Sequence, residues 1–128
     1  VDHAGVSNMQ LTVEQPELAK HYRYKSIAEQ NSLEIAWGLL MSPSYNTLRR
    51  AIFPTESDLK RFRQVVVNSV LATDIFDKEM SDMRKSRWDR VFGGAEGVGT
   101  DPVTSNTRAT IVLEYIIQAS DVSHTMQH

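Results

Sequence analysis

One long segment of apolar residues at helical spacing constrains this chain more than any other feature. Apolar residues recur three and four positions apart over 27–40, and a serine-proline-serine sequence ends the pattern. Ser26 precedes the segment and Glu29 follows three residues later, the spacing at which two side chains cap a helix reciprocally. A helix with so broad an apolar face is normally buried. The sequence therefore predicts a long buried helix that ends at Leu40.

The rest of the chain also favours helices. Five further segments are predicted as helical: 17–22, 45–52, 55–72, 77–92 and 105–121. Thr55 and Asp58 repeat the capping spacing, and the valines at 65–67 suit a helix better than a strand because their flanks are charged and capped. Residues 1–15 are predicted as loop and turns, and the glycine-rich stretch 93–106 as a variable loop. The predicted fold class is all-α, with six helices.

Composition excludes several classes of protein. The chain has 128 residues, 41% hydrophobic and 23% charged, which suits one globular domain with its own core. It has no cysteine, so any metal must bind through His, Asp, Glu or water. A formal net charge of -2 gives no general attraction to nucleic acid. No apolar run approaches the roughly 20 residues that span a bilayer, so we expect no membrane contact by this segment.

Several polar residues could carry chemistry. Asp2 and His3 place a carboxylate beside an imidazole, which can bind or support a metal, although two solvated loop residues would look the same. Glu29 lies in an otherwise apolar segment, where capping alone would explain it. Asp74 follows Thr73 at the end of an apolar helix, where the helix dipole disfavours an acid. A metal, another cation or solvent should therefore compensate Asp74.

The end of the chain holds a fourth group. Asp121, His124 and His128 are spaced by three and four residues, so a continuing helix would place them on one face, as in many metal sites. Exposed side chains near a chain end are the alternative. Taken alone, these residues indicate a helical domain whose carboxylates and imidazoles could surround a metal.

Four ordered blocks of the chain match the motifs of one known protein family. Residues 1–8, Val-Asp-His-Ala-Gly-Val-Ser-Asn, are similar to the family signature His-Asp-Val-Asp-His-Pro-Gly-x-x-Asn from its third residue onward. Residues 26–31 resemble the family's Ser-Val-Leu-Glu-Asn-His helix, 61–74 its helix that ends in Leu-Ala-Thr-Asp, and 117–123 its His-Ala-Ala-Asp-Leu-Ser segment. In these four blocks the chain resembles the class I 3',5'-cyclic-nucleotide phosphodiesterases. The resemblance implies that the chain is the central part of a multi-helix, HD-type phosphodiesterase catalytic domain, incomplete and truncated at both ends.

The resemblance also implies a function and a site. Such domains hydrolyse cAMP, cGMP or both to the 5'-monophosphate in signal transduction. They use a tightly bound zinc-like ion and a second ion, magnesium or manganese. Asp121 matches the carboxylate that ligates the tight metal, and His124 matches a position that faces the purine. Four residues match positions that support the metals and their water: His3, Glu29, Thr73 and Asp74.

Departures from the family pattern leave two alternative functions open. Asn31 and Ser32 stand where the family has two histidines. The other metal ligands and the general acid would precede Val1, and the purine clamp would follow His128, so we expect the isolated chain to be inactive. One alternative is a degenerate relative that binds nucleotide or a partner without turnover, and another is a different helical phosphohydrolase built on a His-Asp pair. The parent protein is expected to be cytoplasmic, or on the cytoplasmic side of a membrane anchor, with regulatory domains elsewhere.

Overall fold

The computed structural model of this protein describes residues 2, 5–93 and 102–126, with the backbone alone at 102–104, 124 and 126. Every regular element within these ranges is helical, so the predicted all-α class is confirmed. The α-helices are α1 (Asn8–Glu14), α2 (Pro16–His21), α3 (Ile27–Leu40), α4 (Asn46–Ile52), α5 (Glu56–Ala72), α6 (Lys78–Phe92) and α7 (Pro102–Val122). Short 3₁₀ turns cover Pro43–Tyr45 and Ser123–Met126. The chain forms two compact units, Val1–Leu71 and Ala72–His128.

The core of the first unit lies where α1, α2 and the start of α3 meet. Leu11, Ala19, Ile27 and Ala28 are buried there together. Burying a Leu or Ile side chain contributes about 1.5–3 kcal/mol, so the two large residues dominate this cluster. The prediction of loop over residues 1–15 was wrong, because Leu11 anchors α1 in the core and the Ser7 hydroxyl accepts a hydrogen bond from the backbone N–H of Gln10.

Helix α3 confirms the predicted helix but corrects two details of it. Only its first two residues are buried, whereas Leu39 is 55% exposed, so the helix is not buried along its length. Ser26 has a left-handed backbone conformation, with φ of 40°, and its side chain makes no capping hydrogen bond to α3. The reciprocal cap predicted for Ser26 and Glu29 was therefore wrong. Another residue caps this helix.

The second predicted cap, at the start of α5, is confirmed. The Thr55 hydroxyl accepts a hydrogen bond from the backbone N–H of Asp58 at 3.1 Å, and the Asp58 carboxylate accepts one from the Thr55 backbone N–H at 3.3 Å. The valines at 65–67 are helical, as predicted. Further along α5, Phe62 packs against the rings of Trp37 and Phe53, with ring centroids 6.4 and 5.2 Å apart. These contacts join α5 to the rest of the first unit.

The second unit pairs α6 with α7. Asp77 caps α6 by accepting a hydrogen bond from the backbone N–H of Met80. Trp88 of α6 meets Tyr115 of α7 edge to face, with ring centroids 4.9 Å apart. Helix α7 begins at Pro102, earlier than predicted, because proline suits the first turn of a helix. The rest of the predicted variable loop, residues 94–101, lies outside the described residues. None of the described helices is long and apolar enough to cross a membrane.

Candidate functional site

Glu29, in the first turn of α3, is held by a residue from α1. The Asn8 side-chain amide donates to Oε2 of Glu29 at 2.9 Å, and the Asn8 carbonyl oxygen Oδ1 accepts from the backbone N–H of Ala28, also at 2.9 Å. The first N–H groups of a helix have no partner within the helix. Asn8 therefore caps α3 in place of Ser26, and the same side chain fixes the Glu29 carboxylate.

Asp2 lies beside Asn31 of α3. The Asn31 amide donates to Oδ2 of Asp2 over a long 3.4 Å, so this bond is weak. Both residues line a small cavity of about 50 Å³ whose other walls include Leu11 and Ala28. The structure thus brings the start of the chain close to one of the positions where a histidine was expected. His3 lies outside the described residues.

Asp74 follows the C-terminal end of α5 and is buried, with 6% of its surface exposed. Its carboxylate oxygen Oδ1 accepts from the backbone N–H of Phe76 at 3.3 Å, and its carbonyl oxygen accepts from Nη2 of Arg84 at 3.4 Å. Burial excludes solvent as the compensation that the helix dipole calls for, and Arg84 places a buried cation beside this helix end. Thr73, the preceding residue, is half-buried. No local pattern could have indicated Arg84, which lies ten residues away on α6.

Asp121 lies in the last turn of α7 with an exposed side chain. The structure does not describe the side chain of His124 or any part of His128. The predicted triad of Asp121, His124 and His128 therefore lies partly outside the described residues. Within the residues that are described, no group of three or more His, Asp or Glu side chains could hold a metal ion. The described residues therefore do not assemble a metal centre by themselves, and Asp121 offers a single carboxylate.

A groove that sequence reasoning missed lies between α2, α3 and α5 of the first unit. It has a volume of about 500 Å³, and Tyr22, Glu34, Trp37 and Arg63 are among its walls. The Tyr22 hydroxyl donates to Oε2 of Glu34 at 2.7 Å. Partial burial, and then the hydrogen bond and charge of Glu34, raise the pKa of Tyr22 to about 12. The same hydrogen bond, with a smaller contribution from His21, lowers the pKa of Glu34.

Comparison with known proteins identifies the family. A family model described as 3'5'-cyclic nucleotide phosphodiesterase matches residues 1–128, so the chain belongs to the 3',5'-cyclic-nucleotide phosphodiesterase family. It is 32% identical over 127 residues to the cGMP-inhibited 3',5'-cyclic phosphodiesterase 3A of Homo sapiens, covering 95% of this chain and 10% of that protein. It is 36% identical over 81 residues to the probable 3',5'-cyclic-AMP phosphodiesterase pde-4 of Caenorhabditis elegans, covering 63% of this chain and 11% of that protein. The chain thus spans about a tenth of the length of these relatives.

Proposed function

We propose that the protein containing this chain hydrolyses a 3',5'-cyclic nucleotide, cAMP or cGMP, to the 5'-monophosphate with the help of divalent metal ions. The observation that carries the proposal is the match of the family model to all 128 residues. The names of both relatives, a cyclic phosphodiesterase and a probable cyclic-AMP phosphodiesterase, support the same substrate class.

Asp121 is proposed as one carboxylate ligand of a tightly bound, zinc-like ion. Carboxylate oxygen is an accepted ligand for zinc and the preferred ligand for magnesium and manganese. The side chain is exposed at the end of α7, where an ion can reach it. Because the described residues do not complete a metal centre, the other ligands would come from elsewhere in the protein.

The remaining candidates are proposed to support the metals and the substrate. Glu29 and Asp74 are carboxylates held in place by neighbours, through Asn8 for the first and the Phe76 backbone for the second. A charged group that is already oriented needs no reorganisation during the reaction, which is the main advantage of a preorganised site. His3 and Thr73 are proposed in the same supporting role. His124 is proposed to lie at the purine of the substrate.

Hydrolysis of cAMP and cGMP by the full-length protein, measured as a function of metal concentration, tests this function. The variant Asp121→Asn should lower kcat/KM by more than about 100-fold and raise the metal concentration needed for half-maximal activity, because loss of a ligand exceeds the 10- to 100-fold effect of a supporting residue. Asp74→Asn should fall within about that 10- to 100-fold range. Asp82→Asn, the same change at an exposed position of α6, is the matched control and should leave both quantities unchanged.

Two results would count against the proposal. If Asp121→Asn kept the activity and the metal dependence of the wild type, Asp121 would not be a metal ligand. The proposal would then lose its central residue. A full-length protein that binds cyclic nucleotide but does not hydrolyse it would favour a degenerate relative, the reading suggested by Asn31 and Ser32 at the positions of two family histidines.

A further inference from the structure

We infer that Asn8 is a positioning residue for hydrolysis, because its side-chain amide fixes the carboxylate of Glu29; this inference rests on the proposed function. The two bonds that carry it run from Nδ2 of Asn8 to Oε2 of Glu29 and from the Ala28 backbone N–H to Oδ1 of Asn8, each 2.9 Å long. One planar amide thus joins the carboxylate and the helix that bears it.

The backbone of Asn8 is itself held in place by α1. Asn8 is the first residue of α1, and its backbone carbonyl accepts a hydrogen bond from the Thr12 hydroxyl at 3.1 Å. The next turn of α1 places Leu11 in the buried cluster beside Ala28. The backbone of Asn8 is therefore fixed relative to the start of α3, and its side chain has little freedom to follow Glu29 elsewhere.

The amide of Asn8 makes both bonds at once. Its oxygen accepts from an N–H group while its nitrogen donates to a carboxylate, whereas an aspartate at this position could only accept. The donated bond ends on an ionised group and lies in a partly buried site, so it is stronger than a neutral one. Because Asn8 engages Oε2, it also determines where the other oxygen of Glu29 lies.

The variant Asn8→Asp, made in the full-length protein, separates the bond to Glu29 from the cap on α3. The variant keeps an oxygen for the Ala28 N–H but loses the donor and sets two carboxylates against each other. We expect kcat to fall about 10- to 100-fold, as for other residues that orient a metal-site group, with KM nearly unchanged and a higher metal concentration for half-maximal activity. Asn68→Asp is the matched control: Asn68 accepts from the Gln64 amide, a bond that a carboxylate keeps, so kcat should not change.

The double variant Asn8→Asp/Glu29→Gln tests whether the bond between these two side chains carries the stability lost in Asn8→Asp. It reverses the donor and the acceptor, so the bond between the two side chains can form again. The melting temperature should return toward that of the wild type, while kcat stays low because the carboxylate of Glu29 is gone. A merely structural role of Asn8 predicts instead that the single variant Asn8→Asp, measured well below its melting temperature, has the kcat of the wild type.

The possible outcomes show whether the positioning role of Asn8 fails or the proposed function fails. An active wild-type protein whose kcat and metal dependence are unaffected by Asn8→Asp overturns the positioning role alone. Recovery of kcat in the double variant also overturns it. A wild-type protein that does not hydrolyse cyclic nucleotide overturns the proposed function, and the positioning role with it.

Discussion

The ion pair between α6 and α7 predicts an asymmetric response to mutation. Arg87 donates from Nη2 to Oε2 of Glu114. The Glu114 side chain is 4% exposed, whereas that of Arg87 is 41% exposed. Loss of the arginine therefore leaves a carboxylate in a nearly dry site, while loss of the glutamate charge leaves an arginine that water can still reach. We predict that Arg87→Met destabilises the protein far more than Glu114→Gln.

The exposure of the two side chains sets the magnitude. Breaking a fully buried ion pair by removing one partner costs about 3–5 kcal/mol, because the other charge remains buried without compensation. Water reaches this pair from the arginine side, so we expect about 2–3 kcal/mol for Arg87→Met. The introduced glutamine of Glu114→Gln can still accept the hydrogen bond and removes a buried charge, so its cost should stay below about 1 kcal/mol. The apolar pair Arg87→Met/Glu114→Leu should lie within about 1 kcal/mol of the wild type.

Urea denaturation followed by the far-ultraviolet helix signal measures these free energies of unfolding. Lys60→Met is the matched control, since Lys60 pairs with Glu56 through side chains that are 77% and 80% exposed. An exposed pair of this kind contributes at most about 0.5 kcal/mol. The reasoning fails if Arg87→Met is no more destabilising than Lys60→Met. It also fails if Glu114→Gln costs as much as Arg87→Met.

Two further predictions concern the first unit. Thr55→Ala should lower the free energy of unfolding by about 1 kcal/mol through loss of the α5 cap. Thr110→Ala, whose hydroxyl donates to the Asn106 carbonyl within α7, is the control and should not; equal urea midpoints for the two variants would contradict this. The pKa of Tyr22 is about 12 in the folded protein, against an ordinary value of 10.0. The stabilisation of the folded state by the protonated phenol should therefore be complete below pH 10 and be lost as the pH rises towards 12. Glu34→Gln should lower the pKa of Tyr22 but leave the part of the shift that burial causes. A spectrophotometric tyrosinate titration, with Tyr22→Phe as the reference, measures this pKa. An unchanged pKa in Glu34→Gln would show that Glu34 does not contribute to the shift.

Local signals predicted the helices well where every partner was close in sequence. Thr55 and Asp58 cap α5 through bonds that span three residues, so the pattern was sufficient. The same pattern failed at Ser26, because its backbone is left-handed and its side chain makes no capping bond. Asn8, twenty residues before Ala28, takes the Ala28 N–H instead. A capping pattern predicts a helix start more reliably than it predicts the residue that caps it.

Burial of the candidate site residues was not predictable in the same way. The sequence indicated that Asp74 needed compensation but left a metal, a cation and solvent open. Arg84 of α6 lies beside it through packing within the second unit, which spacing along the sequence does not predict. The apolar face of α3 was overestimated for a related reason, since periodicity shows which residues share a face but not whether another element covers it.

The family signature and the α3 segment were matched as separate blocks, yet the structure joins them through one side chain. Asn8 ends the first block, Glu29 lies in the second, and the amide of Asn8 connects them while it caps the helix. A substitution that releases the carboxylate by removing this side chain therefore also removes a helix cap. Stability and catalysis are coupled at this corner of the first unit, and Asn8→Asp, which keeps the acceptor for the Ala28 N–H but loses the donor to Glu29, separates them.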